Sequence, residues 1–434
     1  IGVVCAKIQK KLCRKDHLWE KTMVENGFSD FVNYKVDSYS MSILLFTSGT
    51  TAKSKAVMLN QYGIVTNIYD MQLVEPFFET DTNIAFLPFH HIFGLTGMLV
   101  MLASGVKTVF PDGLRYIKQN LIEYKVSLFV GVPILIEKMY ETIIKELEKQ
   151  KKLGLINFAI RLSNLLLKLH IDVRRKLFKP LIDQLGSEMR FIISGGAPLD
   201  KKVAKFFNSI GIHLVQGYGL TETAPIAALT PEYEPSRYAS TGMAVKDTDI
   251  KLKNVNDAGE GEILIKGPTV MLGYYEDEEA TNEVMEDGYF CTGDIGRIDS
   301  DGFIYITGRS KNVIVTQNGK NIYPEEIELM LGEIPEISEC MVYGKKESED
   351  AHDKELIITA KIIPNYTKIE ELHGKNLSDD EIYKIIWDKV KENNKKLTSY
   401  KAVKKIEIKK DEFEKTTTMK IKRFAEINKD KAIK

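Results

Sequence analysis

The sequence predicts an α/β protein with a large multi-layer α/β domain over residues 1–308 and a small α+β domain over residues 309–434. Up to about residue 310, short apolar runs alternate with longer helical patterns, which is typical of layered α/β architecture. Beyond Lys311 the lysine density rises, and a compact mixture of helical and strand patterns begins. A loop rich in glycine and hydroxyl groups follows the first apolar run.

That first run, residues 43–46, predicts a buried strand, and the loop is its exit turn. The loop residues are Thr47, Ser48, Gly49, Thr50 and Thr51. Their backbone N–H groups and hydroxyls suit the oxygens of a polyphosphate, and Lys53 and Lys55 add positive charge. A solvated turn is the alternative for this loop taken alone.

Apolar runs and helix-start signals predict the remaining elements. Pro133 predicts the first turn of a helix, and Ser378 with Glu381 forms a capping box at the start of another. Residues 324–331 have a helical pattern. The further predicted strands are residues 84–87, 108–110, 128–130, 191–193, 339–343 and 355–363.

A basic and apolar stretch covers residues 143–185. Its leucines at positions 162, 165, 166 and 169 recur at helical spacing. Basic amphipathic helices can dock on membrane surfaces. A helix that packs on its own domain is the commoner outcome, and it is our expectation here.

Residues 294–309 have the pattern of a β-hairpin with an Asp-Gly turn at Asp301 and Gly302. Pairing across the turn places Asp294 opposite about Thr307, so that Asp294 and Arg309 emerge at the same end. A carboxylate and a guanidinium held together indicate either a salt bridge or a polar ligand site, and the sequence leaves both open.

Composition narrows the class of protein. The chain of 434 residues has a formal net charge of −1, so we expect no nucleic-acid partner. Its four cysteines lack metal-ligand spacing and indicate reduced thiols in a cytoplasmic protein. The longest uncharged run, residues 92–106, is too short to span a membrane. The chain begins at Ile1 without an initiator Met, which predicts that it is cut from a longer sequence.

A second glycine-rich cluster occupies residues 216–223. Gly217 and Gly219 flank Tyr218 and permit close backbone approach, which leaves the tyrosine ring free to stack on a nucleobase. Glu222 supplies a carboxylate for a metal ion. A structural turn is again the alternative for the cluster alone.

Five motifs in order now resemble the adenylate-forming superfamily of acyl-CoA synthetases, luciferases and nonribosomal adenylation domains. The motifs are residues 43–51, 216–223, 289–294, 308–314 and 416–423. These motifs are spread from residue 43 to residue 423, which is nearly the whole chain. Residues 174–199 are most similar to a bacterial long-chain fatty acyl-CoA synthetase.

The resemblance implies a nucleotide site. The hydroxyl-rich loop with Lys55 would hold the β- and γ-phosphates of ATP, and Thr221 and Glu222 would contact the α-phosphate and Mg²⁺. Gly196, Ala197 and Tyr218 would frame the adenine. Asp294 would bind the ribose hydroxyls, with Arg309 nearby.

The resemblance also assigns a catalytic lysine, Lys420, which would bridge the attacking carboxylate and the α-phosphate. An exposed lysine in a Lys-rich tail is the alternative. Lys311 occupies the hinge position, and Gly319 would let the pantetheine arm of CoA pass close to the backbone. His91 would border the acyl pocket, with a core histidine as an equal alternative.

The chain departs from the family pattern at four positions, which are Ala52, Ser54, Ala56 and Met419. Three of them replace glycine, and a side chain costs about 1–2 kcal/mol wherever the backbone needs a positive φ. Weakened ATP affinity is one expectation. The resemblance also implies that roughly a domain's worth of sequence is missing before Ile1.

These residues together predict an ATP- and Mg²⁺-dependent fatty acid–CoA ligase that works through an acyl-adenylate. The expected partners are a fatty acid, ATP and CoA, with no integral membrane segment, and peripheral membrane contact stays open. One alternative is the same chemistry delivered to a carrier-protein phosphopantetheine. Another is a catalytically silent protein that binds a nucleotide or an acyl group.

Overall fold

The structure, a computed structural model, describes residues 34–47, 54–231, 236–315, 321–346, 356–416 and 420–429. The helices are α1 (Gln61–Val74), α2 (Ile92–Ala103), α3 (Ile117–Glu123), α4 (Pro133–Lys149), α5 (Leu153–Lys168), α6 (Arg174–Leu177), α7 (Lys179–Ile182), α8 (Lys201–Ser209), α9 (Glu278–Val284), α10 (Pro324–Gly332), α11 (Tyr366–His373), α12 (Asp379–Asn394) and α13 (Arg423–Lys429).

The strands are β1 (Met41–Thr47), β2 (Lys55–Asn60), β3 (Thr82–Ile84), β4 (Lys107–Val109), β5 (Leu128–Gly131), β6 (Phe191–Gly195), β7 (His213–Gly219), β8 (Ile226–Leu229), β9 (Met243–Ala244), β10 (Asp249–Lys253), β11 (Gly261–Lys266), β12 (Gly273–Tyr274), β13 (Met285–Glu286), β14 (Tyr289–Ile298), β15 (Ile304–Arg309), β16 (Ile314–Val315), β17 (Asn321–Ile322), β18 (Ile337–Lys346), β19 (Leu356–Pro364) and β20 (Lys405–Ile408).

A seven-stranded sheet in the order β4-β3-β5-β6-β7-β8-β9 forms the centre of the large part. Strands β3 to β7 run parallel, and β8 and β9 are antiparallel to their neighbours. Alternate residues of the parallel strands enter different cores: Phe191 and Ile193 join one, and Ile192 joins the other. These strands are continuously apolar, so both faces of the sheet must be buried, and helices cover them.

Two smaller sheets complete the large part. One has the order β1-β2-β12, and the other has the order β10-β11-β14-β13 with β15 paired to β14. This second sheet carries the predicted hairpin. Asp299 organises its turn, because its Oδ1 accepts the N–H groups of Asp301 and Phe303 at 3.0 and 2.9 Å, respectively.

The remaining described residues form a small α+β unit. Strands β18, β19 and β20 make its sheet, and the apolar faces of α10 and α12 pack on it through Ile327, Leu331 and Ile386. The predicted capping box is present, since the Ser378 N–H donates to Glu381 Oε2 at 2.8 Å and the Glu381 N–H donates to Ser378 Oγ at 3.4 Å. The predicted fold class is confirmed.

The basic stretch, residues 143–185, packs on its own domain as predicted, but mainly through residues other than its four leucines. Helix α5 packs one face on its own domain through Leu153, Ile156 and Ile160. Of the four leucines that predicted this packing, Leu166 is half-buried, but Leu162, Leu165 and Leu169 lie on the solvent side. A helix of this stretch therefore packs on its own domain as expected, and three of the four leucines lie on a second apolar face.

Candidate active site

Strands β6 and β7 bring two of the predicted motifs to one edge of the central sheet. The strands are parallel, with Gly195 paired to Gly217, so residues 196–197 and 217–219 emerge together at their carboxyl ends. Ligands of open α/β sheets bind at this edge. Gly196 has φ +86°, which a side chain would strain, while Ala197 is exposed beside it.

The turn after β7 is unusually tight at Gly219. A Cβ there would lie 1.7 Å from the carbonyl oxygen of Pro225, so a side chain cannot be accommodated. The buried hydroxyl of Thr223 donates to this same oxygen at 2.8 Å. The turn therefore holds Thr221 and Glu222, in a short 3₁₀ helix, at the carboxyl edge.

A chain of hydrogen bonds links the sheet edge to the hairpin. The Tyr218 hydroxyl donates to Asp294 Oδ2 at 2.9 Å, and Arg309 Nε donates to Asp294 Oδ1 at 2.6 Å. Asp294 is 4% exposed, and its own N–H donates to Thr292 Oγ1 at 3.0 Å. The predicted meeting of Asp294 and Arg309 is present.

The predicted register of this hairpin is wrong by two positions. Asp294 pairs with Arg309, not with Thr307. One position comes from the turn, since Ile298 pairs with Ile304, and the other comes from an irregularity between Ile295 and Gly296. A bulge adds a residue that turn-based counting cannot anticipate.

Tyr218 is the neutral partner in this chain. Its burial and the neighbouring Asp294 carboxylate raise the pKa of the Tyr218 hydroxyl well above its usual range. The phenol therefore stays protonated and donates to Asp294. The carboxylate lies between a phenol and a guanidinium, where it can accept further hydroxyl groups.

Glu222 lies in a second polar group that sequence reasoning missed in part. The Tyr274 hydroxyl donates to Glu222 Oε1 at 3.1 Å, and Lys55 Nζ stands 4.4 Å from the centre of the Tyr274 ring. The signal for Tyr274 was weak, since it is one of two tyrosines after Gly273 in an otherwise ordinary turn. Tyr274 therefore contacts both Lys55 and Glu222.

The surroundings of Glu222 suit a cation. Burial raises the pKa of the Glu222 carboxyl, and Arg309 and the Tyr274 hydroxyl oppose the rise. Among the described residues no group of three His, Cys, Asp or Glu side chains could hold a metal alone. A Mg²⁺ ion at Glu222 would therefore need other oxygen ligands, such as phosphates.

Lys420 reaches this site from the small unit. It lies directly before Ile421, which forms an antiparallel bridge with Lys415, and its N–H donates to Thr416 Oγ1 at 3.2 Å. Burial of its ammonium group and the charge of Arg309 lower the pKa of Lys420, while Asp294 and Glu222 oppose the shift. Lys420 thus feels the charges of both polar groups.

Arg423 anchors the segment that follows Lys420 to the small unit. Its guanidinium donates to the Val342 carbonyl oxygen at 3.0 Å and forms an ion pair with Glu328. The anchor fixes the backbone three residues after Lys420.

His91 is a further residue on which the charge of Lys420 acts. It precedes the first residue of α2, and burial, His90 and Lys420 lower its pKa. A small cavity beside α2 is lined by apolar side chains, among them Phe86, Phe93 and Val130. The Phe93 ring covers the backbone of Gly195, so this cavity adjoins the carboxyl edge.

The other predicted residues are placed as follows. Thr47 ends β1 and pairs with Lys55 across the strands. Lys311 is exposed in the short 3₁₀ turn Ser310–Asn312 directly after β15. Ser48, Gly49, Thr50, Thr51 and Gly319 lie outside the described residues, so the roles predicted for them stay predictions.

The fold is that of an α/β protein whose polar motifs meet at the carboxyl edge of a parallel sheet, followed by a small α+β unit that contains Lys420. The profile of the family described as AMP-binding enzyme matches residues 6–275, and that of the AMP-binding enzyme C-terminal domain matches residues 311–429. The chain belongs to this family of adenylate-forming enzymes.

Relatives and solved structures agree with this assignment. The chain is 31% identical to the long-chain-fatty-acid–CoA ligase FadD15 of Mycobacterium bovis over 69% of its own length and 52% of the relative. It is 34% identical to the long-chain-fatty-acid–CoA ligase ACSBG2 of Rattus norvegicus over 70% of itself and 49% of the relative. The chain thus spans about half the length of these relatives.

Two solved structures share the fold. The o-succinylbenzoate CoA synthetase MenE of Bacillus subtilis, in complex with its acyl-adenylate intermediate, superposes with a TM-score of 0.69 at 21% identity, covering 94% of this chain and 76% of that one. ATP-bound MatB of Rhodopseudomonas palustris gives a TM-score of 0.70 at 23% identity, covering 92% and 70%.

Proposed function

We propose that this chain joins a fatty carboxylate to the thiol of CoA in two steps. In the first, a carboxylate oxygen attacks the α-phosphorus of MgATP, the bond to the β-phosphate breaks, and pyrophosphate leaves with the electron pair. In the second, the CoA sulfur attacks the acyl carbon, AMP leaves, and the thiol proton is released.

The observation that carries the proposal is the hydrogen-bonded chain of Tyr218, Asp294 and Arg309 at the carboxyl edge, together with the effect of these charges on Lys420. The charges of Arg309, Asp294 and Glu222 shift the pKa of Lys420, and the charge of Lys420 in turn lowers the pKa of His91. A cation between a nucleotide edge and an apolar cavity is positioned to draw together two anions, a carboxylate and a phosphate. An exposed lysine of a solvated tail would not share these neighbours.

Within this proposal, Asp294 binds the ribose hydroxyls beside Arg309, and Tyr218 forms one wall of the adenine site with Gly196 and Ala197. Glu222 holds Mg²⁺ together with the phosphates. The loop from Thr47 to Thr51 and Lys55 bind the β- and γ-phosphates.

The apolar lining of the cavity beside α2 supports a fatty chain as the acyl group, although its volume of about 10 Å³ must expand to admit one. Phenylalanine and aliphatic side chains line it, and it adjoins Gly195 at the start of the nucleotide edge. Relatives described as long-chain-fatty-acid–CoA ligases add support. Burial of each CH₂ contributes about 0.8 kcal/mol, so turnover should rise with chain length.

Pyrophosphate and AMP release with a series of fatty acids tests the proposal. We expect pyrophosphate release that requires both ATP and a fatty acid, followed by AMP release on addition of free CoA. AMP release only with a phosphopantetheine carrier would move the acceptor to a carrier protein. Absence of pyrophosphate release in every case, with ATP bound, would show a silent binding protein.

A substitution in the cavity tests the acyl assignment separately. Gly97 faces the cavity from α2, and a Cβ there would make an ordinary contact of 3.8 Å with Val130. Gly97→Ala should therefore keep the chain-length profile, whereas Gly97→Leu should shift the preference toward shorter acids. An identical profile for both variants would place the acyl chain elsewhere.

A further inference from the structure

Helix α5 carries a continuous apolar stripe that faces away from the protein. The stripe consists of Leu155, Phe158, Leu162, Leu165 and Leu169. Their exposed fractions lie between 44% and 64%. At 3.6 residues per turn these five positions fall within an arc of about 80° on the helix. We call this set the α5 stripe.

The α5 stripe is distinct from the face of the helix that packs on the core. The core of the large part is served by a different face of the same helix, where Leu153, Ile156 and Ile160 pack and Ser163 is fully buried. Large apolar side chains that stay exposed in a row, while the helix is already anchored, are typical of an interaction surface.

Positive charge surrounds the stripe. Residues 151–179 contain eight Lys or Arg and a single acidic residue, Asp172. Within the described ranges, Lys151 and Lys152 before the helix and Arg161 and Lys168 along one flank are exposed and form no ion pair. Two apolar residues that follow α5 in sequence, Ile171 and Leu177, are also exposed.

We propose that the α5 stripe docks on an anionic phospholipid surface, with its leucines and phenylalanine inserted at the boundary between headgroups and acyl chains. Apolar residues on one arc with Lys and Arg beside them are the pattern of an interfacial helix. Among the described residues no helix is long and apolar enough to cross a bilayer.

Charge decides between a membrane and a second copy of the chain. An isologous dimer through the stripe would bring two sets of these basic residues together, and like charges in such contacts are unfavourable. Anionic headgroups instead satisfy the basic flank. The proposal concerns location and goes beyond the proposed reaction, on which it does not depend.

Flotation of the full chain with phospholipid vesicles tests the proposal. Phosphatidylcholine vesicles with and without phosphatidylglycerol serve as probes. We expect binding that requires phosphatidylglycerol and weakens at high salt, because surface attraction falls off within a Debye length. Equal binding to both vesicle types, or no binding to either, would overturn the proposal.

Paired substitutions locate the contact. Leu162→Asp with Leu165→Asp should lower partitioning by about tenfold or more. The matched control is Leu372→Asp on the small unit, where Leu372 has the same 58% exposure as Leu165. Circular dichroism verifies folding, and Leu165→Ser replaces the double variant if that variant does not fold. Unchanged partitioning of the stripe variants would refute the contact.

The charged flank is tested in the same way. Arg161→Glu with Lys168→Glu should reduce binding to phosphatidylglycerol vesicles by about fivefold per charge or more. Lys384→Glu with Lys396→Glu, at exposed positions of the small unit, should not. A concentration-dependent dimer that the leucine variants abolish, without vesicle binding by the parental chain, would assign the stripe to a second copy and overturn the proposal.

Discussion

The two sides of the candidate site are held in different ways. On the large side, Asp294 and Tyr218 are 4% and 8% exposed and are joined by a hydrogen bond of 2.9 Å. On the small side, Lys420 lies three residues before Arg423, which anchors this segment to its own unit. Tyr218, Asp294 and Arg309 are therefore held in place by contacts within the large part, whereas the position of Lys420 depends on the small unit.

Contacts between the two units fit this difference. Lys202 on α8 pairs with Glu333 at 3.2 Å, and Lys368 on α11 lies 3.9 Å from Glu148 at the end of α4. These pairs are partly exposed, and such pairs contribute about 0–1 kcal/mol. A lysine held by weak contacts can withdraw, and we propose that it does so about Ser310 and Lys311 before CoA arrives.

The largest expected difference between the two sides comes from substitution of Lys420. Lys420→Ala should reduce acyl-AMP formation on the order of 10²–10³-fold, because one preorganised electrostatic donor is lost at the reacting phosphate. Thioester formation from supplied acyl-AMP should be nearly unchanged. Single-turnover pyrophosphate release and thioester formation measure the two steps separately.

Lys404→Ala is the matched control, since Lys404 is an exposed lysine of the same unit. It should affect neither step. Equal losses of both steps in Lys420→Ala would mean that the lysine supports the structure and not the first reaction.

The proposed hinge gives the next largest effect. Proline fixes φ near −65° and removes a donor, so Lys311→Pro should trap one arrangement of the units. We expect thioester formation to fall on the order of 10²-fold, as for a displaced catalytic group, with adenylation retained. Lys311→Ala should run both steps. If the proline variant also runs both at parental rates, the hinge lies elsewhere.

On the preformed side, Asp294→Asn removes a buried charge beside Arg309. Hydrogen bonds to charged groups are worth about 1.5–3 kcal/mol, so we expect the KM for ATP to rise roughly 10–100-fold with a smaller change in kcat. Asp301→Asn, which alters an exposed carboxylate paired with Arg237, should leave the KM unchanged. An unchanged KM in Asp294→Asn would remove Asp294 from the ribose site.

Most of the fold could be predicted because the buried strands of the central sheet are apolar on both faces. Strand β6 was predicted almost to its ends. Strand β3 was not, since it begins at Thr82 and Asn83, which are buried polar residues. The Thr82 N–H donates to Ser127 Oγ at 2.9 Å, and such a distant partner leaves no periodic signal in the sequence.

The site follows the same rule. The motifs predicted which residues meet, because glycines and hydroxyls cluster along the chain at Gly196 and Gly217. They did not predict Tyr274, whose partners Glu222 and Lys55 are distant in sequence. Nor did they separate the two apolar faces of α5, because helical spacing identifies a face without saying what covers it.

The smallest expected effect concerns the contact between the units. Lys202→Ala removes one partner of a pair whose side chains are 52% and 31% exposed, so the arrangement that presents Lys420 should lose about 0.2–1 kcal/mol. Adenylation should fall less than about fivefold, and adding Glu333→Ala should lower it no further, because both changes remove the same interaction. High salt should reproduce the loss in the parental chain and leave the double variant unaffected. Additive losses in the double variant would show that the two residues act separately and that this pair does not hold the units together during the first step.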